Sequence, residues 1–318
     1  MNFILKKVLL AFLTLFLVSA LCFLIFSVIR GDPASAISGM DITHEQLQII
    51  RGEMGLDRNV FVRYIDWLFN FISGNPGSSF YFRGEAISSL IAQRLPVTIS
   101  LASLSLLLII IISFTVSLMT VKREGSITDN IVNFFTAAGI SAPGFFMGLL
   151  FIFIFGFIFK LFIPGEFINY NESVSGFIAG LIPAALAIAI PNSAVLIKFL
   201  RGSLFAELQS DYVRTAKSKG ASGLYILMRH VLKNACLPAV TMLGMIIAEV
   251  FSGSIIIEQV FSIHGMGRLL ITAISSRDYP LIQALMVYIA FLVVCANTLA
   301  DIVISFIDPR IMLTRKVR

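Results

Sequence analysis

Charge is scarce in this chain of 318 residues: Asp, Glu, Lys and Arg together make up 13% of it, whereas apolar residues make up 58%. An average soluble domain carries about twice that share of charge, so the composition excludes an ordinary water-soluble fold and makes lipid the main solvent. The three cysteines form no C-x-x-C pair and lie in or beside apolar runs. This excludes a disulfide framework and a cysteine zinc site.

Sequence motifs for catalysis are missing as well. The chain has no G-x-x-x-x-G-K-[ST] loop to cradle nucleotide phosphates and no H-E-x-x-H pair for a metal. Its histidines, His44, His230 and His264, fall in three different segments, and no Ser/His/Asp arrangement is evident. We therefore predict no catalytic residue, no metal ligand and no cofactor bound by this chain.

The apolar residues gather into six runs, each about as long as a helix that crosses a bilayer. None alternates as a membrane β-strand would, so the sequence predicts an all-α integral membrane protein with about six transmembrane helices. The runs are 8–29, 97–121, 131–159, 174–200, 235–257 and 281–307. The first is too long for the apolar part of a typical secretion signal, which favours a retained anchor.

These runs divide the chain into an N-terminal anchor (1–29), an extracytoplasmic helical segment (30–96), a core of five transmembrane helices (97–307) and a cytoplasmic tail (308–318). Fifteen of the 24 Lys and Arg residues fall on the side that holds both termini, where only six acids lie. Lys and Arg accumulate on the cytoplasmic side of membrane proteins, so both termini are predicted to be cytoplasmic. No soluble basic face remains for nucleic acid.

Helical signals recur within the extracytoplasmic segment. Thr43 and Gln46 have capping-box spacing and predict a helix that ends near Met54. Residues 59–72 form an amphipathic pattern. Its predicted apolar side carries Phe61, Ile65, Leu68 and Phe69, and its polar side carries Arg63, Asp66 and Asn70. Such helices either cover the outer face of the protein or dock a receptor, and the pattern alone does not choose between these roles.

The cytoplasmic loop 201–234 contains helix formers on both sides of Gly220 and predicts two short helices joined there. It reads Asp-Tyr-Val-Arg-Thr-Ala-Lys-Ser-Lys-Gly over 211–220, and Leu237-Pro238 follows it. This resembles the cytoplasmic coupling loop of ABC importer permeases of the dipeptide, oligopeptide and nickel group, and we call residues 201–234 the coupling loop on that basis. Arg214 and Thr215 stand where the general importer pattern has Glu and Ala, a departure that this group commonly shows.

The resemblance continues along nearly the whole chain in order. Similar residues are Gly31-Asp32-Pro33-Ala34, Gly55-Leu56-Asp57, Tyr64 with Trp67-Leu68, Gly74 with Gly77, Leu95-Pro96 with Thr98, Ile257-Glu258, Gly265-Met266-Gly267, Arg277-Asp278-Tyr279-Pro280, Asn297 with Asp301, and Asp308-Pro309-Arg310. It implies a type I ABC importer permease fold in the bacterial inner membrane. The implied partners are a second, homologous permease subunit, two ATPase subunits that hold ATP and Mg, an extracytoplasmic substrate-binding protein and membrane lipid.

The resemblance assigns contact with the ATPases to one short stretch. Its residues are Tyr212, Arg214, Thr215, Ala216, Lys219 and Gly220. The physics agrees, because a helix with a small residue such as Ala216 on one side can dock closely, and Gly220 permits the sharp turn after it. The alternative is a basic loop that only fixes the orientation of the chain.

Glu249 is predicted to line the translocation pathway, because a carboxylate at membrane depth is costly unless it faces protein or water. Four polar residues in the apolar runs could add to this lining or serve only as helix-packing contacts: Ser252, Ser254, Asn192 and Asn297. Residues 247–258 resemble nickel permeases more than dipeptide permeases, and a carboxylate suits positively charged cargo. The sequence therefore leaves nickel, free or chelated, and di- or oligopeptides open, with a lean to nickel.

Two other functions remain possible from the residues. One is an ion-coupled carrier that acts without ATPase partners, with Glu249 and Asp301 as the relay. The other is a membrane scaffold without transport. Against the carrier, the two halves lack the paired, Gly/Pro-interrupted segments of an inverted-repeat transporter.

Overall fold

The computed structural model describes residues 2–28, 58–121, 125–163 and 165–307, which are helical apart from short connections and one isolated antiparallel bridge between Ser78 and Ala86. In chain order the helices are α1 (Asn2–Val28), α2 (Val60–Ile72), α3 (Ile87–Thr120), α4 (Ile127–Ser141), α5 (Gly144–Phe151), α6 (Val174–Leu208), α7 (Asp211–Ser218), α8 (Gly223–Ile226), α9 (Leu232–Val260), α10 (Met266–Ser275) and α11 (Tyr279–Ile307). Two π-helical turns, Ile152–Ile158 and Leu227–Val231, continue α5 and join α8 to α9. The prediction of an all-α membrane protein is confirmed.

Five stretches of the described residues are long and apolar enough to cross a membrane, and a sixth is helical but bent. The five are Leu5–Ser27, Ile87–Thr120, Val174–Leu208, Gly223–Val260 and Tyr279–Val303. They correspond to five of the six predicted runs. The remaining run, predicted as one continuous span over 131–159, is instead the pair Ile127–Ser141 and Gly144–Ile158, which meet at an angle of 107°.

Pro143 is the physical reason for this break. Proline has no backbone N–H and disfavours helical geometry in the residue before it. Ala142 accordingly leaves the helical region, with φ −82° and ψ 122°, and closes α4 by donating its N–H to the carbonyl of Ala138. The chain restarts as α5 directly after Pro143. Hydrophobic run length could not reveal the bend, because apolar residues continue on both sides of it.

The described residues divide into two compact units, and the first contains those that fall within 1–4, 99–263 and 295–318. Within it α6 is the central helix, and α4, α5 and α9 all pack on it. Small residues permit this close packing. A Cβ added at Gly139 of α4 would come 2.9 Å from Cβ of Ala194 in α6. One added at Gly148 of α5 would come 2.9 Å from Cδ1 of Ile257 in α9, so this second glycine permits the approach of α5 to α9.

The second unit contains the described residues that fall within 5–98 and 264–294. Asp278, which is buried, precedes α11 and accepts hydrogen bonds from the Ser79 hydroxyl (2.5 Å) and from the backbone N–H of Tyr81 (3.1 Å) and Leu281 (3.4 Å). The backbone N–H of Met266 donates to the Thr98 hydroxyl at 2.8 Å. These bonds give a structural role to several residues on which the family resemblance rests.

Helix α2 confirms the amphipathic helix predicted over 59–72, with Asn59 as its N-cap, but the buried side differs from the predicted one. Tyr64, Trp67 and Phe71 make the ring contacts with other helices, and the Tyr64 hydroxyl lies 2.9 Å from that of Ser19. Phe61 is 70% exposed and Phe69 is 68% exposed. The apolar surface of α2 therefore extends beyond the predicted side to Tyr64, Trp67 and Phe71, and the part that carries Phe61 and Phe69 is not covered by the described residues.

Several sequence predictions lie outside the described residues. These are the helix from Thr43 to Met54, the family-like residues 31–34 and 55–57, and the tail at 308–318.

Candidate coupling helix and translocation cavity

The coupling loop holds the two short helices that the sequence predicts. Helix α6 ends at Leu208, and Ser210 begins α7 after a tight turn. Val213 is fully buried and fixes α7 to the rest of the protein, whereas most of the other side chains of α7 are exposed. A short helix held at one buried residue and open elsewhere presents a firm surface to the solvent.

Gly220 ends α7 in the conformation that glycine favours, with φ +80°. The N–H of Gly220 donates to the carbonyl of Lys217 (3.0 Å), and the N–H of Ala221 donates to that of Ala216 (3.2 Å). This pair of bonds is a Schellman motif, which satisfies carbonyls that a helix end would otherwise leave without donors. The chain thus reverses sharply before α8, as predicted for Gly220.

Tyr212 connects α7 to both of its neighbouring long helices. Its hydroxyl donates to Oε2 of Glu207 in α6 (2.6 Å) and accepts a long hydrogen bond from Nδ2 of Asn234 in α9 (3.5 Å). We call this arrangement the Tyr212 bridge. Burial raises the pKa of the Tyr212 hydroxyl, and the hydrogen bond to Glu207 raises it further, so the phenol keeps its proton near neutral pH.

The other residues predicted to contact the ATPases lie around this bridge. Arg214, Thr215 and Lys219 are exposed, and Ala216 is half-buried. Thr215 uses its hydroxyl within the helix, donating to the carbonyl of Asp211 at 3.0 Å. Arg214 is 3.9 Å from the Asp211 carboxylate, an exposed ion pair that adds little stability.

Helices α6 and α9 also carry the two predicted pathway residues that the structure brings together. Asn192 of α6 and Glu249 of α9 line one cavity of about 380 Å³, beside the break between α4 and α5. We call it the α6/α9 cavity. The lining residues are Ile140, Ser141, Ala142, Pro143, Gly144, Phe145, Ile188, Pro191, Asn192, Val195, Glu249, Gly253, Ile256 and Ile257.

The remaining three predicted pathway residues are not among those that line this cavity. Ser252 is exposed on α9, and its hydroxyl donates to the backbone carbonyl of Glu249 at 3.1 Å. Ser254 is buried, and its hydroxyl donates to the backbone carbonyl of Phe251 at 2.8 Å. Asn297 is half-buried on α11. Of the five candidates, Asn192 and Glu249 alone therefore share the α6/α9 cavity.

A buried ionic cluster near the start of α4 escaped the sequence analysis. Arg201 of α6 makes a salt bridge with Asp129 of α4, and its NH1 group donates to Oδ1 of Asn133 at 2.9 Å. Both charged side chains are less than a tenth exposed. Arg201 counts as a cytoplasmic cation in the sequence, and nothing in the spacing of 72 residues indicates which acid it meets.

Comparison with known proteins agrees with this architecture. Residues 113–313 match the model of a family described as the binding-protein-dependent transport system inner membrane component, and residues 1–102 match the N-terminal model of the same group. The chain belongs to this family. It is an ABC importer permease, a transport subunit rather than an enzyme.

Individual relatives cover almost the full length of the permease. A protein of Sinorhizobium fredii named as a probable peptide ABC transporter permease is 34% identical over 309 residues, which are 97% of this chain and 98% of that one. A dipeptide transport system permease protein of Lactococcus lactis is 30% identical over 312 residues, which are 98% of this chain and 99% of that one.

Proposed function

We propose that this permease is one transmembrane subunit of an ATP-driven, binding-protein-dependent importer of short peptides. The family description supports dependence on a binding protein, and the names of full-length relatives support peptide cargo. These names favour peptides over the nickel lean taken from residues 247–258. Nickel is therefore a comparison substrate in the experiment below.

The proposed assembly contains this chain, a homologous second permease, two ATPase subunits and an extracytoplasmic binding protein. ATP and Mg²⁺ would be held by the ATPases, because this chain has no phosphate-binding loop. The excess of Lys and Arg on one side supports cytoplasmic termini and a cytoplasmic coupling loop. In that orientation α7 faces the ATPases.

The Tyr212 bridge is the single observation that carries the mechanism. A push on the exposed face of α7 reaches α6 through Glu207 and α9 through Asn234, because the Tyr212 hydroxyl is bonded to both. The same two helices carry Asn192 and Glu249 farther along, on the wall of the α6/α9 cavity. Closure of the ATPases on ATP would thus change the spacing of α6 and α9 and alternate the access of the cavity. Hydrolysis would reset it.

Uptake in cells that carry the complete transporter tests the proposal. We expect import of a radiolabelled dipeptide to be sensitive to vanadate, which traps ABC ATPases, and resistant to a protonophore while ATP is maintained. Ala216→Trp should abolish uptake, because the bulky ring prevents close docking of α7. Ala206→Trp is the matched control, since Ala206 is exposed at the end of α6 but lies outside α7.

Two results would contradict the proposal. Uptake that resists vanadate and collapses with the proton gradient would establish the ion-coupled carrier instead. Import of ⁶³Ni²⁺ without import of any peptide would move the cargo assignment to nickel.

A further inference from the structure

The α6/α9 cavity contains an acceptor that nothing satisfies. Asn192 is 8% exposed, and its Nδ2 group donates to the carbonyl of Ile188 at 2.9 Å. Its Oδ1 atom has no hydrogen-bond partner among the described residues and is itself buried. A buried amide oxygen without a donor is unfavourable by about 1–3 kcal/mol, so the Asn192 side chain gains by turning this oxygen towards a donor that enters the cavity from outside the chain.

Glu249 adds a charged acceptor to the same cavity. Its carboxylate makes no hydrogen bond or ion pair with the described residues, although the backbone carbonyl of Glu249 accepts from Ser252. No Lys, Arg or His is among the residues that line the cavity. Two acceptors without a cation nearby suit a protonated amine, which offers several N–H donors and a positive charge.

The broken span contributes the opposite polarity. Helix α5 begins at Gly144 directly after Pro143, and no side chain caps its N-terminus. The first backbone N–H groups of a helix have no partner within it, and they carry a partial positive charge that attracts anions. Gly144 and Phe145 both line the α6/α9 cavity. The ends of broken membrane helices bind charged groups of substrates in other transporters on the same physical basis.

From these three features we propose that the α6/α9 cavity binds the zwitterionic main chain of a short peptide. The ammonium lies at Glu249 and Oδ1 of Asn192, and the carboxylate lies at the N-terminal amides of α5. The cavity of about 380 Å³ falls within the usual size of small-ligand sites. Its apolar wall, which includes Ile188, Val195 and Ile256, accepts side chains without selecting among them.

This inference rests on the proposed function and restricts the cargo to peptides with free termini, because the permease itself binds the charged ends of the cargo. A bare metal cation would meet Glu249 but would also face the positive end of α5. A free peptide satisfies both ends of the cavity at once.

Protection from alkylation measures occupancy of the cavity directly. Ile256 is half-exposed and lines the cavity, so Ile256→Cys places a reactive thiol on its wall. The complete transporter, purified without its binding protein, is labelled with a maleimide in the presence of alanylalanine, its N-acetyl derivative, its amide, or the doubly blocked peptide. Phe134→Cys, exposed on α4 away from the cavity, is the matched control, and the chain with its own three cysteines provides the background.

We expect alanylalanine to protect the Ile256→Cys site, and each singly blocked peptide to need about a tenfold higher concentration. Glu249→Gln should weaken protection by alanylalanine about tenfold and remove its advantage over the N-acetyl peptide. Asn192→Leu should act in the same direction, whereas Asn192→Asp, which keeps an acceptor oxygen, should retain protection. No variant should alter labelling of the Phe134→Cys site.

Equal protection by free and blocked peptides would overturn the inference, as would full discrimination in Glu249→Gln. Absence of any protection would overturn it as well. Vanadate-sensitive uptake of alanylalanine in the same strain is scored separately. Failure of uptake counts against the proposed function, whereas normal uptake without ammonium discrimination counts against this inference alone.

Discussion

Replacement of Tyr212 by Phe removes the hydroxyl of the Tyr212 bridge and leaves the ring in place. The lost bonds are the one donated to Glu207 at 2.6 Å and the longer one accepted from Asn234 at 3.5 Å. A hydrogen bond to a charged group contributes about 1.5–3 kcal/mol in a buried setting. Since 36% of Tyr212 is exposed, solvent screening reduces this, and we take about 1 kcal/mol.

A difference of about 1 kcal/mol corresponds to a factor of about five in an equilibrium. We therefore expect Tyr212→Phe to lower the number of peptides imported per ATP hydrolysed about fivefold, while the ATPase rate of the complex stays within about twofold of wild type. Helix α7 keeps its anchor at Val213, so the variant should still assemble. The assay measures both rates on the same reconstituted complex in lipid vesicles.

Two matched variants make the test specific. Tyr225 lies in the same loop; its ring contacts that of His230, but its hydroxyl makes no hydrogen bond with the described residues. Tyr225→Phe should thus leave the ratio of import to hydrolysis unchanged. Glu207→Gln should weaken coupling in the wild type and add little in a Tyr212→Phe background, because both changes break the same bond. If Tyr212→Phe and Tyr225→Phe behave alike, the bridge does not transmit force.

Three further predictions follow from the same structure. Arg201→Ala should lower the free energy of unfolding by about 3–5 kcal/mol, because it leaves the buried Asp129 carboxylate without a cation, with only the backbone N–H of Gly125 and Nδ2 of Asn133 as donors. Arg201→Met combined with Asp129→Leu should recover much of this loss in thermal unfolding in detergent. Equal melting of the single and double variants would argue against a buried pair. Gly220→Ala should destabilise the turn after α7 by about 1 kcal/mol, because Gly220 has φ +80°. Gly202→Ala is the control within α6, where an added Cβ meets open space, and it should be neutral or stabilising. Protease-resistance assays of the coupling loop measure both effects. Because the pKa of Tyr212 is raised, the protonated phenol stabilises the bridge fully below the unfolded pKa of about 10 and loses this effect only as pH rises through the higher folded pKa. The ratio of import to hydrolysis should therefore not fall between about pH 6 and 9 through deprotonation of Tyr212. A fall in that range that is absent from Tyr212→Phe would contradict this prediction.

Much of the fold could be predicted because lipid imposes simple rules on sequence. Five of the six apolar runs became long helices, since a segment of about twenty apolar residues has few alternatives in hydrocarbon. The local structure of the coupling loop was equally predictable. Its turn depends on Gly220, and its helices depend on local signals that lie within ten residues of it.

The candidate site could be predicted only in part. Glu249 was found because a carboxylate in an apolar run is unusual. Asn192 was one of several polar residues in the apolar runs, and the sequence did not show which of them lines a cavity. Their shared cavity depends on how α6 packs on α9 and on the bend at Pro143. The same limit applies to α2. Its amphipathic pattern was recognised, but the pattern did not show that Tyr64, Trp67 and Phe71 are the residues that pack on other helices.

By itself, then, the sequence determined the membrane environment, the approximate spans, the glycine turn of the coupling loop and the family resemblance, because each of these depends on composition or on residues close together in the chain. Tertiary structure alone decided that Tyr212 joins α6 to α9, that Arg201 meets Asp129, and that Asn192 and Glu249 line one cavity. These outcomes depend on how helices rotate and bend as they pack. The side-chain volumes of the whole interface together determine that rotation and bending, so no local sequence pattern encodes them.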